Sequence, residues 1–203
     1  MVDNVQKSLI GLTILNFPCI LIICWGNLEI YLRSYYYYRI GFTYNQVAPV
    51  VFTFTLAVFA GTIIVPHVTH KSHSKNFYLS LSLLSAFLYL LTDSASHLLV
   101  LYLLVCALAL SQRVQLGLSN FTLVEMAPTK RSLSLGIVQA GMSVANIVLN
   151  LLMTITINPD NKPLLASGVF ERDVSLNFTR FLRVIFGVSL VCTAIGYIFL
   201  QQA

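Results

Sequence analysis

Arg113 is the residue whose setting first asks for a chemical explanation. It stands in the stretch Leu98–Val124, which is otherwise uncharged. A guanidinium facing hydrocarbon there would cost about 3 kcal/mol or more, so it must face protein, water or a counter-ion. Asn120 follows seven residues later and Gly117 four, which gives one narrow polar face. On that face Arg113 could draw a carboxylate or phosphate by charge and bidentate hydrogen bonding. It could equally pair with Glu125 or backbone carbonyls, or reach toward the membrane surface.

A second polar stripe lies further along. Gln139, Asn146 and Asn150 recur at spacings of seven and four, with Ser143 between them. Such amides either line a polar path or join helices by hydrogen bonds of modest energy. Asn16 and Pro18 form a third candidate, a local kink in an apolar run that could face the same cavity. His67, His70 and His73 recur every third residue beside Lys71 and Lys75. Imidazoles so clustered can bind zinc, but with no Cys or acidic ligand near them we read a basic loop at the lipid surface and expect no metal. Cys19, Cys24, Cys106 and Cys192 lack metal-ligand spacing and read as small apolar fillers. An intramembrane enzyme is not expected, because the chain has no Gly-x-Ser-Gly with a helix His, no intramembrane Asp pair and no His-Glu-x-x-His.

Elements that could hold these groups follow from composition. Of the 203 residues, 57% are hydrophobic and 9% charged, and the mean hydropathy is +0.81. A soluble domain carries roughly 25% charged residues, so a cytosolic enzyme, a soluble nucleic-acid binder and a disordered chain are all excluded. The net charge of +5 belongs to loops and not to a basic patch seeking nucleic acid. A crossing helix needs about 20 apolar residues. Suitable stretches are 8–28, 47–66, 77–92, 98–124, 132–157 and 184–200, continuous instead of alternating with period two. The fold class expected is therefore all-α, a multi-pass membrane protein of six transmembrane helices in a single domain spanning 1–203.

Between the helices, 26–46 reads as an amphipathic linker, with Tyr31, Tyr35, Tyr36, Tyr37, Tyr38 and Tyr44 anchoring at the headgroup level. Asn158–Arg183 reads as a longer polar loop. Its sequon Asn177-Phe178-Thr179 could carry glycan if the loop faces the lumen. A second sequon, Asn120-Phe121-Thr122, lies inside a helix. Six spans place both termini on one side. Lys and Arg are almost evenly divided between the two sides, so the positive-inside rule barely decides orientation. The first apolar run lacks an Ala-x-Ala-type cleavage site and reads as a retained signal anchor.

The most specific segment is Asn120–Leu151. It holds the turn Glu125-Met126-Ala127-Pro128-Thr129-Lys130-Arg131, then Gly136-Ile137-Val138-Gln139, with Gly141 beyond. Pro128 ends a helix, and Gly117, Gly136 and Gly141 offer small surfaces for close helix packing. This pattern resembles the turn between the fourth and fifth helices of a six-helix half in the major facilitator superfamily. Within it, the segment is most similar to the carboxy-terminal half of the anion:cation symporters, which include sialin, the vesicular glutamate transporters and the sodium–phosphate transporters. The sugar and organic-ion porters, with Glu-x-x-Pro followed by Arg, are the alternative. Ile64–Asn76 lacks the family's Asp and Gly-Arg pair, and Asn150 stands where the symporters often have Pro.

The resemblance implies one half of a twelve-helix secondary transporter. It would move a small solute, an organic or inorganic anion, by alternating access around a midplane site. Arg113, Asn120, Gln139, Ser143, Asn146, Asn150 and Asn16 would line the path. Glu125, Pro128, Lys130 and Arg131 would gate the inner mouth. It further implies cytoplasmic termini, proton or sodium coupling with no other cofactor, and a second six-helix half as partner. A non-transporting six-span protein, a truncated relative or assembly partner, is the competing expectation.

Overall fold

The computed structural model describes residues 2–69, 75–126 and 128–201. In chain order they form α1 (Val2–Leu15), a 3-10 segment (Phe17–Ile22), α2 (Trp25–Ile40), α3 (Tyr44–Val47), α4 (Pro49–Thr69) and α5 (Lys75–Ser94). There follow α6 (Leu98–Met126), α7 (Arg131–Ile157), α8 (Arg172–Leu176) and α9 (Phe178–Gln201), and no strand occurs among the described residues. His70, Lys71, His73 and Ala127 lie outside them.

Five helical stretches are long and apolar enough to cross a membrane, and they contain α4, α5, α6, α7 and α9. Four of them cover a predicted span with a few residues added at one or both ends, whereas the last runs from Arg172 to Gln201. The predicted span 184–200 therefore starts earlier, and the predicted polar loop Asn158–Arg183 is helical in α8 and from Phe178 onward. The first predicted span, 8–28, is different. Pro18 has no N–H to give and its ring clashes with the preceding turn, so α1 stops at Leu15. The chain then tightens to shorter bonds, with Cys19 N–H on Asn16 O at 3.0 Å and Ile23 N–H on Ile20 O at 2.7 Å. Helix resumes at Trp25 and runs to Ile40 through what reads in the sequence as a linker. Gly41, at φ 77°, then closes α2 in the left-handed conformation.

Side-chain contacts at the two ends fix the directions of α2, α5, α6 and α9. Tyr197 on α9 donates to Asn76 at the start of α5, and Tyr78 on α5 meets Thr122 near the end of α6. At the other end, Thr179 at the start of α9 donates to Asp93 at the end of α5 at 2.8 Å. Arg39 at the end of α2 also pairs with Asp93. The segment 2–40 therefore runs the length of the bundle beside the long helices.

Packing uses small residues. A Cβ on Gly11 of α1 would lie 2.9 Å from Gly196 O of α9, and one on Gly61 of α4 would lie 2.9 Å from Arg113 Cβ of α6. Such close approach is how helices associate where lipid offers no hydrophobic drive. The core is apolar and aromatic, with Tyr35, Tyr36, Tyr89, Phe178 and Phe181 among its largest enclosed side chains. Tyr35 and Tyr36 thus stand inside the bundle and not at its rim. Outward, Phe52, Phe59, Leu103, Ile147 and Ile155 are each more than half exposed, a surface suited to lipid.

Candidate functional site at the helix break

The break leaves backbone carbonyls without helical partners, and buried carbonyls must bond to something. Side chains at mid-length of α5 and α6 supply the donors. Gln115 Nε2 donates to Leu15 O and to Ser82 Oγ, both at 2.8 Å. Tyr89 OH donates to Pro18 O at 2.9 Å, and Gln112 Nε2 donates to the Tyr89 oxygen. Ser119 Oγ donates to Asn16 Oδ1 at 2.9 Å. Asn16, Gln112, Gln115 and Ser119 are all buried. Asn16 Nδ2, Gln112 Oε1 and Gln115 Oε1 have no partner among the described residues, which leaves hydrogen-bonding capacity at the break.

A second polar group adjoins it, between the start of α2 and α7. Asn27 Nδ2 donates to Asn150 Oδ1 at 2.8 Å, and Asn150 Nδ2 donates to Asn146 Oδ1 at 2.9 Å. The Cys24 thiol also meets Asn146 Oδ1. A recess of about 190 Å³ opens beside this group, lined by Asn27, Ile30, Tyr31, Asn150, Thr154 and Phe170. Its volume is that of several water molecules, at about 30 Å³ each.

Going round α7 at about 100° per residue separates three faces. Val138, Met142, Ala145 and Leu149 are buried against the bundle. Val144, Leu151 and Ile155 are exposed and apolar. Between them runs the stripe of Gln139, Ser143, Asn146 and Asn150, with the first two exposed and the last two half-buried. The chain itself leaves that stripe open.

The remaining sequence candidates lie elsewhere. Arg113 is turned toward α4, where its Nε donates to Thr62 Oγ1 at 2.9 Å. No described carboxylate reaches it, so Arg113 and the amide stripe occupy different faces of the bundle. Gly117 shares the α4 seam against Val65, while Asn120 Oδ1 is enclosed without a partner among the described residues. Glu125, Pro128, Lys130 and Arg131 are exposed at the end of the bundle where α1 begins and α9 ends. Gly141 lies against Thr13 of α1, whereas nothing lies within 4 Å of where a Gly136 Cβ would be. Asn177 joins α8 to α9 and donates to Ile157 O at 3.2 Å, so both polar side chains of its sequon are engaged.

Gln112, Gln115, Ser82, Ser119, Tyr89 and Asn27 are the site residues that the sequence reading passes over, and Cys24, read as an apolar filler, bonds Asn146. Their signal was present, since Gln112, Gln115 and Ser119 fall on one helical face, but it needed Pro18 as the partner to be recognised. Outside the apolar zone, Lys162 Nζ bonds Asp173 at 2.5 Å and Glu171 at 3.0 Å. Its hydrogen bonds to Asp173 and then Glu171 raise the Lys162 pKa. The hydrogen bond from Lys162 lowers that of Asp173, helped by the Val174 N–H. Compared with protein-family models, curated proteins and solved structures, the chain gives no match.

Proposed function

We propose that the chain is a six-pass membrane transport protein, one half of a facilitator-type secondary transporter that moves a small anionic solute. The helix interrupted at mid-depth carries this reading. Irregular backbone within a bilayer is tolerated only where protein buries it or where it borders a cavity, and transporters build midplane sites from discontinuous helices. Beside the break, the amides of Asn27 and Asn150 face a recess, Asn146 bonds Asn150 behind them, and the open stripe of α7 is the surface a second half would cover. In this reading the segment 2–40 is the sixth pass. Arg113 acts through its charge from the α4–α6 seam, and the turn 125–131 gates the inner mouth. The anion preference, coupling to protons or sodium and cytoplasmic termini follow from the resemblance of that turn.

Reconstitution of the full chain into liposomes tests this. The expected result is saturable uptake of labelled organic or inorganic anions, reduced about tenfold in Asn150→Leu, the equivalent of one lost hydrogen bond of about 1.4 kcal/mol. Absence of uptake by an assembly that crosslinking shows to be paired would contradict it. Orientation is read separately: Ser167→Cys should react with an impermeant maleimide added outside intact cells, and reaction from the cytosol alone would reverse the topology.

A second reading, a non-transporting six-span partner, is favoured by one observation. The carbonyls of Leu15 and Pro18 are already bonded by Gln115 and Tyr89, as in a break that is sealed for structure. Recovery of a full-length transporter as the main crosslinked partner, with no uptake by the chain alone, would favour it.

A further inference from the structure

A recess of about 450 Å³ opens at the end of the bundle where α1 begins, between α1 and the start of α7. Its apolar walls include Val5, Leu9, Leu133 and Ile137, and Lys130 and Ser134 also line it. Leu133 is 61% exposed and Ile137 44% exposed. Three observations at the polar head point to an anion. The α7 N-terminus, at Lys130, has no side-chain cap and its first turn has no acidic residue, so its N–H groups are open to a ligand. Lys130 and Arg131 add two positive charges beside them. Ser134 is 6% exposed and its hydroxyl has no partner among the described residues, although it lines the recess.

We propose that this recess binds an anionic phospholipid. The phosphate sits against Lys130, the Ser134 hydroxyl and the first-turn N–H groups of α7. One acyl chain runs along Val5, Leu9, Leu133 and Ile137. Free phosphate would satisfy the head and leave the apolar walls uncovered, whereas an acyl chain removes that surface from water at the membrane edge. A choline headgroup would set a further cation beside Lys130 and Arg131, so the preference is for phosphatidylglycerol over phosphatidylcholine. The bound lipid bridges α1 and α7, and the site does not depend on the transport reading.

Native mass spectrometry of the purified full chain, with each lipid added to the micelles, tests this. The chain is expected to retain phosphatidylglycerol in preference to phosphatidylcholine. Lys130→Gln should lower retention about fivefold, the weight of one basic contact at a lipid surface. Lys130→Arg should keep it, Leu133→Asn should lower it, and Lys75→Gln, at the same end but outside the recess, should leave it unchanged. Lys130 and Leu133 are exposed, so these variants keep the fold. Equal retention of the two lipids, no effect of Lys130→Gln, or displacement of the lipid by equimolar glycerol phosphate would overturn the proposal.

Discussion

Gln115 holds Leu15 O and Ser82 Oγ with a single amide nitrogen, and both bonds are buried. Replacing it by Leu keeps the side chain close in size but leaves the carbonyl without a donor. The expected loss is about 1–3 kcal/mol, read as a lower unfolding temperature in detergent, and an unchanged value would show that the break does not need this bond. A different residue-scale prediction concerns the Lys162–Asp173 pair. The Asp173 pKa is depressed in the fold, so its contribution is complete above the ordinary Asp value of about 3.9 and is lost as pH falls through the lower folded value. The Lys162 pKa is raised, so its contribution is lost only in strong alkali. Hydrogen-exchange protection in 158–176 should therefore fall in Asp173→Asn at neutral pH. The gap between variant and wild type should close in acid, and a gap that persisted there would assign the effect to something else.

At the scale of elements, two glycines that look alike in sequence divide sharply. A Cβ on Gly117 would fall 2.4 Å from Val65 Cγ2, whereas nothing lies within 4 Å of the corresponding position on Gly136. Gly117→Ala should push α4 from α6 and cost about 1–3 kcal/mol. Gly136→Ala should be neutral or stabilise by up to about 1 kcal/mol through helix propensity. Thermal unfolding of both decides it, and equal effects would contradict the packing. The same scale shows what the sequence made legible. The five long helices were readable from apolar runs, because length and charge depletion alone decide a crossing segment. The break at Pro18 was readable only as a kink, since hydropathy continues across it. α2 was hidden because a tyrosine-rich stretch suits an interface and a core equally, provided each hydroxyl has a partner. Here Tyr36 OH finds Thr92 O and Tyr35 OH finds Asp93. Arg113 drew notice by its charge, but charge says nothing about which neighbour a helix face will meet, and that neighbour is α4.

For the whole molecule, five helices long and apolar enough to cross a membrane and the interrupted segment 2–40 form a bundle whose described ends, Val2 and Gln201, lie at the same end. Along α7 its outer surface carries a polar stripe, with Gln139 and Ser143 exposed beside the amides of Asn146 and Asn150. In the proposed function this stripe borders a water-filled path and not lipid. Cysteine labelling tests it most directly, since a thiol reacts as its thiolate and therefore needs water. With the native cysteines replaced and the chain in sealed vesicles, Ser143→Cys should react with a membrane-impermeant thiol reagent, while Leu151→Cys on the apolar face should not. Protection of Ser143→Cys from both sides of the membrane, or equal labelling at the two positions, would contradict the account.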